Sequence, residues 1–492
     1  MLPRGCNLIV LLRFGTFRRM TAATTPRYRR LRAVLRWTFR LSALAVLLVA
    51  LLLVFVLRHA LYNRMVAFPR EAKAWEEIRA SLKPVSLDMG YHDFRGVFHS
   101  HSKFSHDSEM EFEDILVAAK TAGIDFVFMS DHCVDRRADF GIQWRGIYDG
   151  VLFAPGYEMG YGFLVWGLDS DVVLDCSLDA YELAELITEK GGMVNFAHSE
   201  EDRIWDLPQL RGMEIYNIHT DIKDESMRDI IPHYLISSRA YPDQTMRVIF
   251  DRQTEILENW DRLNAERRIT GFAASDAHQN VGFRVSYMPA GSDPFMIQVL
   301  RGQLGQDAVS IGKDYLLFRD TGPKGIHPVE LTPFRRVIAR LVLGELKPGE
   351  ELLRVDMDPY ERSLNYVNTH LLAEELTEES LIEAFLAGRA YISFDMIAPA
   401  TGFAFYAEGN GGKTVMGEYT PFEAGMVLLA ESPAPGRLTL LRDGVPVHRS
   451  TGNRLSYEVH EPGNYRVEVE LRILGEWVPW IYANPVRIGV SP

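Results

Sequence analysis

The chain of 492 residues is 47% hydrophobic and 24% charged, which excludes a disordered or low-complexity protein and gives room for about three domains. Ten arginines and no acidic residue fall in the first 41 positions, so the remainder carries 43 basic against 66 acidic groups. That acidic body argues against a broad nucleic-acid-binding surface, which needs clustered Lys and Arg. Cys6, Cys133 and Cys176 are too few for a disulfide framework. Only Cys133 and Cys176 could pair within the body, and Cys133 is expected to be a small buried thiol.

In chain order, a basic leader precedes the uncharged run Leu41 to Leu57, bracketed by Arg40 and Arg58. Trp37, Phe39, Leu61 and Tyr62 extend it to bilayer length. The forty-residue leader and the lack of a small-x-small site in RHALYN favour a retained anchor over a cleaved signal peptide. Arginines before the span place the amino terminus in the cytoplasm and the body outside it, in the periplasm if the cell is bacterial. Arg70 to Leu82 reads as a charged amphipathic stalk helix.

The segment FHSHSKFSHD (98–107) holds three histidines and an aspartate. In extended chain, residues i and i+2 share a face, so His99 and His101 can present nitrogens to one point. A helix over 109–122, ended by Gly123, leads to the apolar strand 125–130, which delivers Asp131 and His132. The pattern repeats. Strand 151–157 ends on Glu158, helix 179–190 precedes strand 193–197 and His198, and strand 212–217 carries Glu214 with His219 beyond it. A long helix over 244–267 precedes strand 270–275, which delivers Asp276 and His278. Strand 163–168 ends in a plain acidic turn. Apolar strands alternating with helices and finishing on metal-type residues predict an α/β barrel with its chemistry at the carboxyl edge.

The motifs HSHSKFSHDS, MSDH, PGYE, FAHS and ASDAH resemble the PHP (polymerase and histidinol phosphatase) superfamily, and within it the membrane-associated or secreted branch related to carbaryl hydrolase. The likeness covers about residues 92–290, with weaker support in ESLIEAFLAGRAYISFD (379–395). It implies a distorted seven-stranded (β/α)7 barrel whose carboxyl-edge pocket holds two or three divalent ions, Zn, Mn or Fe. By that resemblance His99 and His101 bind one metal with Glu158 and Asp276. His106 and His132 serve another with His278, Glu158 bridges, and His198 completes the central ion. Phe98 stands where relatives often have Asp or Asn, His106 where many have Asp, and 159–167 lacks a histidine that many carry after the bridging glutamate. His219 or Glu214 is left to compensate.

Divalent ions in such a pocket would activate water and neutralise phosphoester oxygens. Asp276 or Glu158 could accept the water's proton, and His198, His219 or His278 could protonate the leaving group. Arg203, Arg239 and Arg284, in loops after site-bearing strands, are candidate phosphate clamps, with Glu214 and His219 as further substrate contacts. The segment 314–360 reads as irregular apart from a basic amphipathic helix at 333–343, which covers the barrel or touches a membrane surface. From 402 onward, alternating segments separated by the turns Arg442-Asp-Gly-Val and Glu461-Pro-Gly-Asn predict an antiparallel β-sandwich. Trp477, Trp480 and Tyr482 there are expected in a core rather than in a sugar site, and relatives carry a similar Asn-Pro strand at the end.

The expected layout is a leader (1–40), an anchor (41–62), a stalk (63–90), a PHP-type hydrolase domain (91–400) and a sandwich (401–492). The expected activity is a metal-dependent phosphoesterase acting on a small, phosphorylated substrate. The alternatives are a carbamate, ester or amide hydrolase on the same site, and a catalytically silent metal-binding surface protein.

Overall fold

The computed structural model describes residues 26–83, 85, 90–218, 220–221, 227–279, 282–291, 313–320, 326–356 and 358–490. It falls into two compact units, 1–62 and 63–492. In the first, helix Pro26–Val56 contains the one stretch among the described residues, Val34–Val56, that is long and apolar enough to cross a membrane. Cys6 and most of the leader lie outside the described residues.

The second unit opens with helix Phe68–Ser81. Phe68, Glu71 and Trp75 are buried, and they share one helical face. Glu71 meets the guanidinium of Arg247, and Arg79 donates to the carbonyls of Met396 and Ile397 at 2.5 and 3.0 Å. The expected stalk is therefore docked on the body, because two large apolar residues one turn-pair apart need a surface to cover them.

The central strands close into a ring. His92–Ser100 pairs in parallel with Phe126–Phe128 on one side and Thr270–Ala277 on the other. Phe126–Phe128 and its continuation Asp131–His132 pair with Val151–Ala154 and Gly156–Met159. Phe163–Trp166 runs antiparallel to both Gly156–Met159 and Met193–Phe196. Parallel pairing through Leu210–Asn217 returns to Thr270–Ala277.

Period-two alternation sorts the ring's side chains. Phe126 and Phe128 point into an interior cluster with Phe98, Trp166, Phe272 and Phe385, while Val127 packs outside against Ile115 and Ala119 of helix Phe112–Ala122. Phe98 lies at the centre of the aromatic interior. Its ring is 4.7 Å from Phe128, 5.1 Å from Trp166 and 5.3 Å from both Phe272 and Phe385. This position, just below His99, is thus a packing anchor. A Cβ on Gly156 would lie 2.1 Å from Trp166 and 2.3 Å from the Met129 carbonyl, so only glycine lets the strand pass there.

Three local expectations change. The long helix over 244–267 is broken into Pro242–Arg247 and Thr254–Glu266, because Phe250 turns inward against Tyr216 and Phe394 at 5.6 and 5.9 Å. The irregular 314–360 segment contains strands Tyr315–Asp320, Ile326–Glu330 and Glu351–Asp356, which join Gly282–Met288 in a four-stranded sheet. Cys133 and Cys176 form a disulfide across 43 residues, where a buried thiol was expected; Cys133 is only partly buried and its loop runs beside the strand Val173–Asp175.

The carboxyl-terminal strands are antiparallel, built on the long hairpin Val427–Arg442 and Val445–Glu458. Trp480 and Tyr482 are buried, whereas Trp477 is half-buried, with the guanidinium groups of Arg437 and Arg472 over its ring at 4.9 and 5.8 Å. The sheet is continuous with the ring: His92–Ser100 pairs with Asn368–Ala373, that strand with Ala390–Ser393, and Ala390–Ser393 with Glu476–Ala483. Asn484 accepts from Gly271 N and donates to Gly271 O, each at 2.9 Å. Arg466 holds Asp261 through both terminal oxygens at 2.6 and 2.7 Å, a bidentate geometry that fixes orientation.

At the junction, buried His370 lies between Asp93 at 2.8 Å and Asp395 at 3.2 Å. Burial alone would lower its pKa, but Asp93 and Asp395 outweigh that and raise it to about 9. A raised folded-state pKa stabilises fully below the unfolded value near 6.5, and the benefit is lost as pH rises through about 9. We expect the melting temperature to fall between pH 7 and 9.5, and to fall less steeply over that window in His370→Gln. Parallel slopes would contradict this assignment.

Candidate metal centre

At the carboxyl ends of the ring strands, eight side chains converge in two groups. One is His101, Asp107, His132 and His278; the other is His99, Glu158, His198 and Asp276; within each, the donor atoms lie within 4.8 Å of one another. Glu158 touches both groups. Its Oε2 is 3.0 Å from His99 Nε2, 3.6 Å from His101 Nε2 and 3.5 Å from His132 Nε2, while Oε1 is 3.4 Å from His198 Nε2. Asp276 Oδ1 lies 3.2 Å from His99 Nε2 and 3.4 Å from His101 Nε2. Asp107 Oδ2 is 3.3 Å from His132 Nε2 and 3.1 Å from His278 Nε2.

The backbone bends to bring these groups together. His99, His198 and Asp276 take left-handed conformations with φ of 64°, 47° and 46°, each costing about 1–3 kcal/mol in a residue with a Cβ. The register slips where Phe98 and Ser100 face Ala274 and Ala277. Simple strand alternation therefore does not bring His99 and His101 together; a bulge and a left-handed residue do, with ring centroids 5.1 Å apart.

Four of the five histidines have their outer nitrogen committed. An ionised carboxylate can only accept, so His99 donates from Nδ1 to Glu214 at 2.5 Å. Ser105 donates to Asp107 at 2.7 Å and so accepts from His101 Nδ1 at 3.2 Å. His278 donates from Nδ1 to the Asp276 carbonyl at 2.8 Å. Thr220 donates to Glu200 at 2.8 Å and accepts from His198 Nδ1 at 3.4 Å. Each ring thus turns Nε2 inward, the arrangement by which ligand histidines are oriented from behind. Buried His101 Nε2 makes no well-formed hydrogen bond among the described residues, Asp276 and Glu158 standing 3.4 and 3.6 Å away. The donor set, five imidazoles and three carboxylates, suits divalent transition ions.

Electrostatics reflects the crowding. Burial would lower His99, but Asp276, Glu158 and Glu214 raise it well above the usual imidazole range. Burial, then His278, pushes His101 down to about 3. Burial opposes ionisation of Glu158, yet His99 and His198 hold it well below the carboxylate range. His198, despite burial, is raised to about 10 by Glu158 and Glu200. Protons and metal ions compete for the same imidazole nitrogens.

Every expected metal residue except His106 lies in one of the two groups. His106 is exposed, its ring 4.8 Å from that of His132, and the carboxylate one position later takes the place assigned to it. The signal was present, since Asp107 is the only carboxylate in FHSHSKFSHD. Asp107→Asn is expected to lower metal affinity about 10–100-fold, whereas His106→Ala leaves it within about twofold; titration with Zn and Mn under identical buffer separates them.

The expected substrate residues fare differently. Glu214 is buried, with Oε2 accepting from His198 N at 2.7 Å and Asn217 at 2.9 Å, so it supports His99 and the His198 turn and is closed to substrate. Arg203 donates to the Ala197 carbonyl at 2.9 Å and pairs with Glu201 at 3.1 Å. A Cβ on Gly162 would sit 2.4 Å from its guanidinium, so Arg203 packs on the 160–162 turn, where no histidine stands. Arg284 lies on the four-stranded sheet and engages Glu109 and Glu351 at 3.1 and 3.6 Å. Arg239 is exposed, and His219 lies outside the described residues. Asp131 is fully buried and accepts from Ser102 N, Ser102 Oγ and Gln143 at 2.5, 2.8 and 2.7 Å, which pins the histidine loop.

No known family profile matches the sequence, and no curated protein matches it. Among solved structures, a two-domain protein from Bacteroides vulgatus containing a predicted PHP-like metal-dependent phosphoesterase aligns over 82% of this chain and 98% of its own, at 13% identity and a TM-score of 0.35. Endonuclease Q, in complex with a 27-mer duplex carrying an abasic lesion, aligns over 38% of this chain and 49% of its own, at 15% identity and a TM-score of 0.23. Both overlaps are loose. The class that the geometry itself defines is a buried histidine and carboxylate centre able to take divalent metal ions.

Proposed function

We propose that the chain is a membrane-anchored, outward-facing, metal-dependent hydrolase acting on small phosphoesters, of the PHP type and of the carbaryl-hydrolase-like branch that its motifs resemble. The observation that carries this is the pair of donor groups sharing Glu158. His101, Asp107, His132 and His278 would hold one ion, and His99, Glu158, His198 and Asp276 a second. Zn, Mn or Fe would then supply Lewis acidity toward phosphate oxygens and activate the attacking water.

The chain's own groups do the rest. Glu214, Ser105, Thr220 and the Asp276 carbonyl keep four imidazoles in the tautomer that leaves Nε2 inward. Asp276, at the inner edge of both groups, is the proposed proton acceptor. His198 sits at the rim, its Nδ1–H held outward through Thr220 and the partly exposed Glu200, so that Nε2 is the nitrogen offered to the ion. The anchor reading is supported by the basic leader and by the Cys133–Cys176 disulfide, which fits an oxidising compartment.

The test uses the full-length protein in detergent, beside His99→Ala/His101→Ala. Metal content is measured by mass spectrometry, and turnover with p-nitrophenyl phosphate, its bis-ester and p-nitrophenyl acetate. Two ions per chain and phosphoester turnover, both lost in the variant, are expected. Turnover of the acetate alone would replace phosphoester chemistry with acyl hydrolysis, and a wild type that cannot be loaded would sink the centre.

A further inference from the structure

The helix Pro333–Leu343, PFRRVIARLVL, is capped at its start by Thr332, whose hydroxyl accepts from Arg335 N, and ends at Gly344 with φ of 81°. Ala339 is buried and Leu343 partly buried, in a small cluster with Val285, Leu316 and Leu331 of the four-stranded sheet and its flank. That is the side by which the helix is attached. Phe334, Val337, Ile338, Leu341 and Val342 recur at i, i+3, i+4, i+7 and i+8, so they form a single stripe on the other side. They are between 45% and 77% exposed. A soluble helix turns such a stripe to its core; this one is attached by its narrower side and presents the wider apolar face to the outside.

The flanks of the stripe are basic. Arg335 and Arg340 are exposed, Arg336 pairs with Asp314, and no acidic residue occurs from 331 to 344. The sign is opposite to that of the body, which is strongly acidic outside the leader. Aliphatic and aromatic side chains on one face with arginines beside them match the interface of a bilayer, where the apolar face enters the acyl boundary and guanidinium groups meet phosphate. The same chain carries a bilayer-length apolar helix, joined through the short connection 57–67 to a helix packed on the body.

We propose that the helix Pro333–Leu343 docks onto a bilayer surface containing anionic phospholipid, with Phe334, Val337, Ile338, Leu341 and Val342 in the acyl boundary and Arg335 and Arg340 at the headgroups. This rests on the reading of the amino-terminal helix as an anchor. The barrel is then held against the membrane at a second point, and its substrates are those found at or near a lipid surface.

The test places an environment-sensitive fluorophore on Leu341→Cys in full-length protein carrying Cys6→Ser, reconstituted in phosphatidylcholine bilayers with and without 30% phosphatidylglycerol, roughly the anionic content at which basic helices bind. Val445→Cys, an exposed position on the sandwich hairpin, is the reference. Quenching by spin-labelled lipid is expected to be at least about threefold stronger at 341 than at 445 in the anionic bilayer. Arg335→Gln/Arg340→Gln is expected to remove the dependence on phosphatidylglycerol. Equal quenching at the two positions overturns the proposal. So does a probe at 341 shielded from aqueous iodide without lipid quenching, which would mean that protein covers the face, whether another segment of this chain or a second copy. Alkaline carbonate extraction reports the anchor separately. If it strips the chain, the same probes on protein added to preformed vesicles decide the docking, quenching at 341 supporting it and its absence overturning it.

Discussion

Glu158→Gln is expected to lower metal content by at least one ion per chain and phosphoester turnover by at least about 10²–10³-fold. Glu158 lies within 3.6 Å of four imidazoles drawn from both donor groups, so the substitution removes charge from two sites at once. The amide keeps the volume and one acceptor oxygen, so loss of fold is not the expected cause. It leaves five inward imidazoles with only Asp107 and Asp276 to offset two divalent ions. The check is metal content and single-turnover kinetics on the same preparation, with thermal unfolding of the metal-free forms as control. A metal-free melting temperature within a few degrees of wild type, with content and rate both reduced, is the expected combination. Full loading with unchanged turnover would show that Glu158 does not join the two groups.

The second large effect is expected from a residue closed to substrate. Glu214→Gln keeps an acceptor but loses the charge that fixes His99 with Nδ1–H outward, and it can place an amide N–H against either His99 Nδ1 or His198 N. Metal affinity is expected to fall about 10–100-fold. Turnover at saturating metal should recover to within about tenfold, which separates a positioning role from a direct one. Because the carboxylate also helps keep His99 protonated in the empty centre, the variant should take up metal with a shallower dependence on pH across the acid side. An affinity unchanged from wild type would show that the bulge alone orients His99.

The ring and the residues at its strand ends were legible because one physical rule governs both. A strand buried on each face must be apolar, so the polar residues that follow the apolar run mark the sheet edge, and His132, Glu158, His198 and Asp276 each stand among such residues. What the pattern lacked was backbone geometry. The spacing of His99 and His101 suggested alternation, whereas a left-handed residue and a register slip bring their rings together. Asp107 was passed over because the motif was aligned one residue early, and nothing in periodicity tells which of two neighbours in a loop turns inward. The supports behind the imidazoles, Ser105, Thr220 with Glu200, and Glu214, come from three separate segments and are visible only in space. The four-stranded sheet was missed for a related reason: Gly282–Met288 pairs with Glu351–Asp356, far away in the chain, and short strands of mixed composition carry little signal.

The strand Ala390–Ser393 has an implication for how the protein is made. It lies between Asn368–Ala373 and Glu476–Ala483, so one of its hydrogen-bonding edges stays open until Glu476–Ala483, more than eighty residues later, has emerged from the ribosome. An unpaired apolar edge of this kind is a template for wrong pairing. Vectorial synthesis can therefore close the ring with Thr270–Ala277 while the sheet beside it stays unfinished, and Glu476–Ala483 acts as the closing clasp of that extension. Translational pausing or truncation before Glu476–Ala483 is complete would be felt as aggregation through the open edge of Ala390–Ser393.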